Sequence, residues 1–119
     1  MSLVKLTNGL ITDKYTSVHQ EKEYSYNAPH YFEVHSQVDS KVLGRFHFQE
    51  GPIKEAGVNG VMNEDLIAMV IARLQGFQSS EFACRENAVA ITKLEESLMW
   101  LRKRTMDREA RGVEGTHTV

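Results

Sequence analysis

The sequence predicts an α+β domain: an N-terminal antiparallel β-sheet followed by a C-terminal helical hairpin with a long second helix. Three observations carry that expectation. Short runs of alternating polar and apolar residues, separated by turn residues, fill the first half. Apolar residues at helical spacing fill the second, and the change falls near residue 60. The length of 119 residues suits a single domain. Within it, 1–60 is expected to be mainly β, 63–111 a helical hairpin and 113–119 a flexible tail.

In the first half, residues 3–7 alternate and then meet Asn8-Gly9, a strong hairpin signal. Residues 10–12 are the expected return strand. Residues 15–26 are ambiguous, and 20–23 are too polar for a firm assignment. Residues 31–38 alternate, with Tyr31, Glu33, His35 and Gln37 against Phe32, Val34, Ser36 and Val38. That pattern reads as a half-buried strand. Residues 42–49 alternate more weakly and end at Gly51-Pro52, because proline cannot continue a ladder. The inner face is expected to carry Phe32, Val34, Phe46 and Phe48. Gly57-Val58-Asn59-Gly60 reads as a tight loop that tolerates positive φ and close backbone approach.

The first long helix is expected to start at Asn63 as N-cap, with Glu64 and Asp65 complementing the helix dipole. Ile67, Val70, Ile71 and Leu74 form its apolar stripe, and Gly76 is the expected stop. Residues 77–82 then form a short connection. The second helix is expected from about Ala83 to Arg108 or slightly beyond. Ile91, Leu94, Leu98 and Leu101 line one face, Thr105 continues it, and Gly112 ends it. A short connection packs the two helices as an antiparallel pair. The second helix is longer than the domain needs. Met99 and Trp100, off the main stripe, either face a partner subunit or cover the sheet.

Composition excludes several classes. Hydrophobic residues are 41% and charged residues 25%, an ordinary globular mixture, and the formal net charge is −2. A dedicated binder of nucleic-acid polymers usually carries a basic excess. A small anion held by a few local arginines remains compatible. The single cysteine, Cys84, rules out an intrachain disulfide and suits a reducing compartment. No secretory signal and no membrane span are expected from the apolar runs.

The most informative stretch is 102–111, where Arg102, Lys103, Arg104, Arg108 and Arg111 stand against Asp107 and Glu109. Arg104, Arg108 and Arg111 share one helix face. Guanidinium forks match phosphate oxygens, so this face is either a phosphate clamp or a solvated, salt-bridged helix end. Spacing alone favours the second reading. Phe77 and Phe82 bracket the interhelical connection as stacking platforms for a base, or as core. Arg85, Glu86 and Asn87 open the second helix, where asparagine can pair with an adenine edge or serve as a surface position. Catalysis finds little support. His19, His30, His35, His47 and His117 lack metalloenzyme spacing. His35 and His47 are candidates to face each other across two strands. There is no phosphate-binding glycine loop, nucleophile elbow or plausible carboxylate dyad. No cofactor, metal or catalytic residue is expected.

A long ordered series then meets a family. Phe82-Ala83-Cys84-Arg85-Glu86-Asn87, Ala90-Ile91-Thr92-Lys93-Leu94-Glu95-Glu96 with Leu98, Trp100-Leu101, Arg104-Thr105, Asp107-Arg108-Glu109 and Arg111-Gly112-Val113-Glu114-Gly115-Thr116 resemble the C-terminal signature of the phage Thoeris anti-defence and anti-CBASS sponge family. Phe48-Gln49-Glu50-Gly51-Pro52-Ile53 and Gly57-Val58-Asn59-Gly60 are similar to its Thoeris branch. The resemblance covers roughly 45–116.

The resemblance implies a phage anti-defence protein acting in the cytoplasm of the infected bacterial host. It implies that the protein binds and sequesters a cyclic nucleotide immune signal without degrading it. For the Thoeris branch that signal is glycocyclic ADP-ribose. Some members also take cyclic di- or trinucleotides at a separate site, and the assemblies are homodimers or higher homo-oligomers with pockets between subunits. The family's ligand contacts match Phe77, Asn87, Arg104 and Arg108. Arg85, Arg111 and the 57–60 backbone are added candidates on chemical grounds. About 30 Å of helix separates Asn87 from Arg108, so one pocket needs both only if two copies of the second helix lie antiparallel. The alternatives are an enzyme that hydrolyses the signal and a protein-binding module acting through the second helix.

Overall fold

Alternation does build the N-terminal half. The computed structural model describes residues 2–119, and these divide into two compact units at Val61/Met62. In the first unit four strands form one antiparallel sheet among the described residues, in the order β1-β2-β3-β4. They are β1 (Leu3–Lys5), β2 (Thr16–Glu21), β3 (Tyr31–Ser36) and β4 (Val42–His47). Register puts Val18 opposite Val34 and Phe32 opposite Phe46, so the predicted apolar residues share one face. Phe48 adds its ring edge-on to Phe32, with centroids 5.4 Å apart.

Two expectations for this half are corrected. Residues 10–12 are not a strand. The Asn8 side chain accepts from the Leu10 amide at 2.8 Å, and this Asx turn sends the chain into a longer loop rather than a two-residue hairpin. The partner of β1 is instead β2, which includes the polar residues His19, Gln20 and Glu21. An inner strand tolerates them because one of its faces is polar throughout. The second correction concerns 51–56. Pro52 does end the strand region, but it then serves as N-cap of a short helix, α1 (Ile53–Ala56). Proline suits a helix start, where its missing N–H removes no bond.

The second unit is a helical hairpin of α2 (Asn63–Gln78) and α3 (Arg85–Ala110), which pack on each other. Asn63 is the first helical residue rather than the cap. The N-terminal bond is made by Asp65, whose carboxylate accepts from the Met62 amide at 2.8 Å. The inner side of α2 is Leu66, Ile67, Ile71 and Leu74, with Ile71 buried, whereas Val70 is exposed. Gly76 does not stop α2. The helix runs two residues further, to Gln78, and Ser79 and Ser80 cap its last carbonyls with their hydroxyls. Phe77 therefore lies in the last turn of α2 and not in the connection. Gln78 clamps the connection by accepting from the Cys84 amide and donating to the Cys84 carbonyl, each at 2.9 Å.

On α3 the half-buried positions are Asn87, Ala90, Ile91, Leu94, Leu98, Leu101, Thr105 and Arg108. This is a heptad-like stripe facing α2 over its first part. α3 has 26 residues against 16 in α2, so it extends about 15 Å beyond its partner. Gly112, at φ 72°, follows the helix end as expected. Among the described residues no helix is long and apolar enough to cross a membrane.

Candidate functional site

The far end of α3 concentrates positive charge. Trp100, Lys103, Arg104, Asp107, Arg108, Arg111 and Val119 line an open groove of about 430 Å³. That is within the range of small-molecule sites, roughly 300–1,000 Å³. The lining holds four cationic side chains against one acidic side chain, Asp107. Ion pairing separates the two readings of this stretch. Arg102 pairs with Glu109 at 3.4 Å, and Lys103 pairs with Asp107 at 3.1 Å. Those two cations are the salt-bridged helix end. Arg104 makes no ion pair among the described residues, and Arg108 Nη2 donates to the peptide carbonyls of Val113, Thr116 and Thr118. Peptide carbonyls leave the full positive charge in place, so Arg104 and Arg108 keep an unneutralised face. Arg111 Nη1 donates to an oxygen of Val119, the last residue of the chain, at 2.9 Å. Trp100, one turn before Arg104, is 70% exposed beside them.

The expected stacking and base-reading residues occupy the other end of the hairpin. Phe77 is 39% exposed, and the Arg73 guanidinium lies over its ring, 5.2 Å from the centroid. Phe82 is exposed in the connection. Arg85 is the first residue of α3 and Asn87 the third, half-buried at the head of the inner stripe. α3 is continuous from Arg85 to Ala110. Asn87 is therefore about 26 Å from Arg104 and about 31 Å from Arg108 along the axis. Within one chain the structure lines one groove with Arg104, Arg108 and Arg111, while Phe77, Arg85 and Asn87 lie at the opposite end of the hairpin. It does not bring the two sets together.

Gly57, Val58, Asn59 and Gly60 belong to the N-terminal unit. The Asn59 side chain and the Gln49 side chain lace the loop. Asn59 Nδ2 donates to the Glu50 carbonyl at 2.7 Å, and Gln49 Nε2 donates to the Gly57 carbonyl at 2.7 Å. The Gly57 amide donates to Ile53 O and the Asn59 amide to Gln49 Oε1. The Val58 and Gly60 amides take no such partner among the described residues. A Cβ on Gly60 would stand 2.5 Å from the Phe48 carbonyl carbon, so only glycine fits.

Sequence reasoning missed a second polar cluster, on the outward face of the sheet. His19 and His35 stack with centroids 4.0 Å apart. Ser17 Oγ, itself 2% exposed, bonds to His19 Nε2 at 2.9 Å. Glu33 accepts from the Tyr31 hydroxyl and bonds His35 Nε2. The Tyr31 bond, then the His35 bond, holds the Glu33 carboxyl below its usual range, and the same Glu33 bond pushes the Tyr31 hydroxyl up. Burial, then His35 and Lys5, pushes His19 below 6.5. His47 does not face His35. It stands opposite Tyr31, and a register shift at Val34/His35 puts His35 opposite Val42. Period-two alternation placed Tyr31, Glu33 and His35 on one face, but cross-strand partners need a register that the sequence does not print.

Comparison with known proteins covers both long helices as far as Met106. Residues 40–106 match the family model described as Acb2/Tad1, hairpin domain. The chain is also 51% identical to a protein of Bacillus phage SBSphiJ7 named Thoeris anti-defense 1, over 95% of this chain and 97% of the relative.

Proposed function

Because this chain belongs to the Acb2/Tad1 hairpin-domain family, we propose that it is a phage anti-defence protein that binds and sequesters glycocyclic ADP-ribose, without turnover, in the cytoplasm of the infected host. The observation that carries the proposal is the groove where Arg104 and Arg108 stand without carboxylate partners beside Trp100. Glycocyclic ADP-ribose carries two adjacent phosphates and an adenine. Arg104 and Arg108, one helical turn apart, can each take a phosphate. Arg111 adds charge at the same end. Phe77 stacks the adenine and Asn87 pairs with a base or ribose edge. Arg85 supplies a further cation at the same end of the hairpin.

The separation along α3 shapes the rest of the proposal. One ligand meets Phe77 and Asn87 from one chain and Arg104 and Arg108 from another when two copies of α3 lie antiparallel. The assembly is a homodimer or a larger homo-oligomer containing that pair. Exposed apolar side chains support it: Met99 and Trp100 are each 70% exposed and Met106 is 52% exposed. Only Ile71 counts as a buried apolar residue in the described chain, so apolar surface remains for a partner copy. The ligand leaves unchanged because the groove offers cations and an indole, with no nucleophile–base pair at its phosphates. Calorimetric titration with glycocyclic ADP-ribose tests the reading. One site per subunit is expected, weakened about thirtyfold in Arg104→Ala; undiminished affinity in that variant would remove the clamp.

A further inference from the structure

We propose that Arg73, Gly76 and Phe77 of α2 form a stacking slot for the ligand's adenine, with the base held between the Phe77 ring and the Arg73 guanidinium; this rests on the reading of Phe77 as the residue that stacks the base. Arg73 and Phe77 are four residues apart on a helix, so they share one face. Aromatic side chains of a helix lean back toward its N-terminus, which brings the ring beneath the Arg73 side chain. The guanidinium carbon lies over the ring, 5.2 Å from its centroid. An acid would draw the guanidinium away, but the neighbours of Arg73 one turn either way are Met69, Val70, Gly76 and Phe77. Both side chains of the pair are exposed. A cation on an exposed ring stabilises a fold little, so stability does not account for the pair.

Gly76 is a second, independent observation. It lies within α2 with neither positive φ nor crowding to require glycine, since a Cβ there would meet nothing within 4 Å. Glycine in a helix costs stability relative to alanine. Nothing in its own chain explains that cost. Close approach of something outside the chain does, and Gly76 adjoins Phe77 on the helix surface. A base between two planes needs about 7 Å between them, the depth of two van der Waals contacts. The guanidinium therefore lifts by about 2 Å as the base enters. An exposed side chain makes that movement by changing rotamer. Bare backbone at Gly76 lets the base and its ribose come in alongside the ring without striking a side chain. Arginine suits the outer face because its planar, weakly hydrated guanidinium stacks on bases.

Arg73→Met keeps the length of the side chain and removes its plane and its charge. With glycocyclic ADP-ribose as probe, this variant is expected to bind about tenfold more weakly than the wild-type chain. With pyrophosphate as probe the two are expected to bind alike, because no base is present. The drop in adenine absorbance that accompanies stacking is expected to be smaller in Arg73→Met at saturation. Gly76→Ala separates the slot from the fold: it is expected to melt higher, as alanine does in a helix, and to bind glycocyclic ADP-ribose about fivefold more weakly. A matching loss for pyrophosphate in Arg73→Met would make Arg73 a phosphate contact and overturn the slot. Unchanged or tighter binding of glycocyclic ADP-ribose by Arg73→Met, or wild-type affinity in Gly76→Ala, overturns it as well. Phe77→Ala in the same titration distinguishes the two failures: if it loses affinity where Arg73→Met does not, the slot alone falls, and if it also binds as wild type, the stacking role of Phe77 falls with it.

Discussion

Asn87 and Arg108 stand on one stripe of α3, three heptads apart, and a continuous helix holds them about 31 Å from each other. No motion of a rigid helix brings them to one ligand. If both serve one pocket, the pocket is shared. In an isologous pair, subunits carrying Asn87→Ala and subunits carrying Arg108→Ala complement each other. After subunit exchange in equal amounts, about a quarter of the pockets regain wild-type affinity, because half of the dimers are mixed and each has one intact pocket. Titration of the exchanged mixture measures this fraction; a pocket within one chain would give none.

The clamp residues should be separable from the fold. Arg104→Ala and Arg108→Ala each remove charge-assisted bonds worth about 2 kcal/mol, so affinity for the ligand should fall about thirtyfold. Arg102→Ala, which removes only the surface pair with Glu109, should change affinity less than threefold. Melting temperatures should stay close to wild type in Arg102→Ala and Arg104→Ala, whereas Arg108→Ala also loses its bonds to the Val113, Thr116 and Thr118 carbonyls and should melt lower. Equal losses from Arg102→Ala and Arg104→Ala would mean general charge attraction rather than a clamp.

Phe77 tests the stacking role. Its ring already carries the Arg73 guanidinium, so both faces are not open at once. Phe77→Ala should weaken adenine-containing ligands by about 2 kcal/mol, while Phe77→Tyr should bind within a few-fold of wild type. Binding of pyrophosphate, which has no base, should be indifferent to either change. A matching loss for pyrophosphate would assign Phe77 to structure.

Much of this was legible in the sequence, for physical reasons that differ by region. The helical stripes were legible because burial repeats at the helical period, and Leu94, Leu98 and Leu101 keep that period strictly. The three arginines of one face were legible for the same reason. What the sequence could not show was which cations are neutralised: Arg102 and Arg104 look alike until Glu109 is seen against one of them. β2 was hidden because an inner strand with a polar face shows little hydrophobic signal. The polar cluster of Ser17, His19, Glu33 and His35 depends on register, and one shift at Val34/His35 decides it. The sequence reads the segment after Gly112 as a flexible tail; the bonds from Arg108 to the Val113, Thr116 and Thr118 carbonyls are backbone contacts that no residue type announces.

The sheet should be sensitive to acid. His19 is held below 6.5, so the unfolded chain takes up its proton before the folded chain does. Stability is therefore lost as pH falls below about 6.5, down to the folded-state value. Glu33, held low, adds a second loss further into the acid range. Melting of the wild-type protein between pH 7.5 and 5.5 should show a falling midpoint, and His19→Gln should flatten that slope. An unchanged slope in the variant would place the acid sensitivity elsewhere.

Gly60 should resist substitution through close approach. Alanine at 60 would drive its Cβ into the Phe48 backbone, which cannot move without disturbing the Gln49–Val61 contact. A destabilisation of about 3 kcal/mol is expected. Alanine at 57 meets nothing within 4 Å, but φ 77° with ψ 172° is a backbone region kept almost entirely to glycine, so strain alone costs about 1–3 kcal/mol. Denaturant midpoints of the two variants measure both costs; a loss below about 1 kcal/mol at 60 would contradict the close approach.

The measurement that tests the central claim most directly is capture and release. Purified protein is mixed with glycocyclic ADP-ribose and filtered, then the retained protein is heat-denatured and the released small molecule identified by liquid chromatography. Sequestration without turnover predicts that the filtrate is depleted and that intact ligand returns only on denaturation. Recovery of a cleaved product, or a filtrate that keeps all of its ligand, would contradict it.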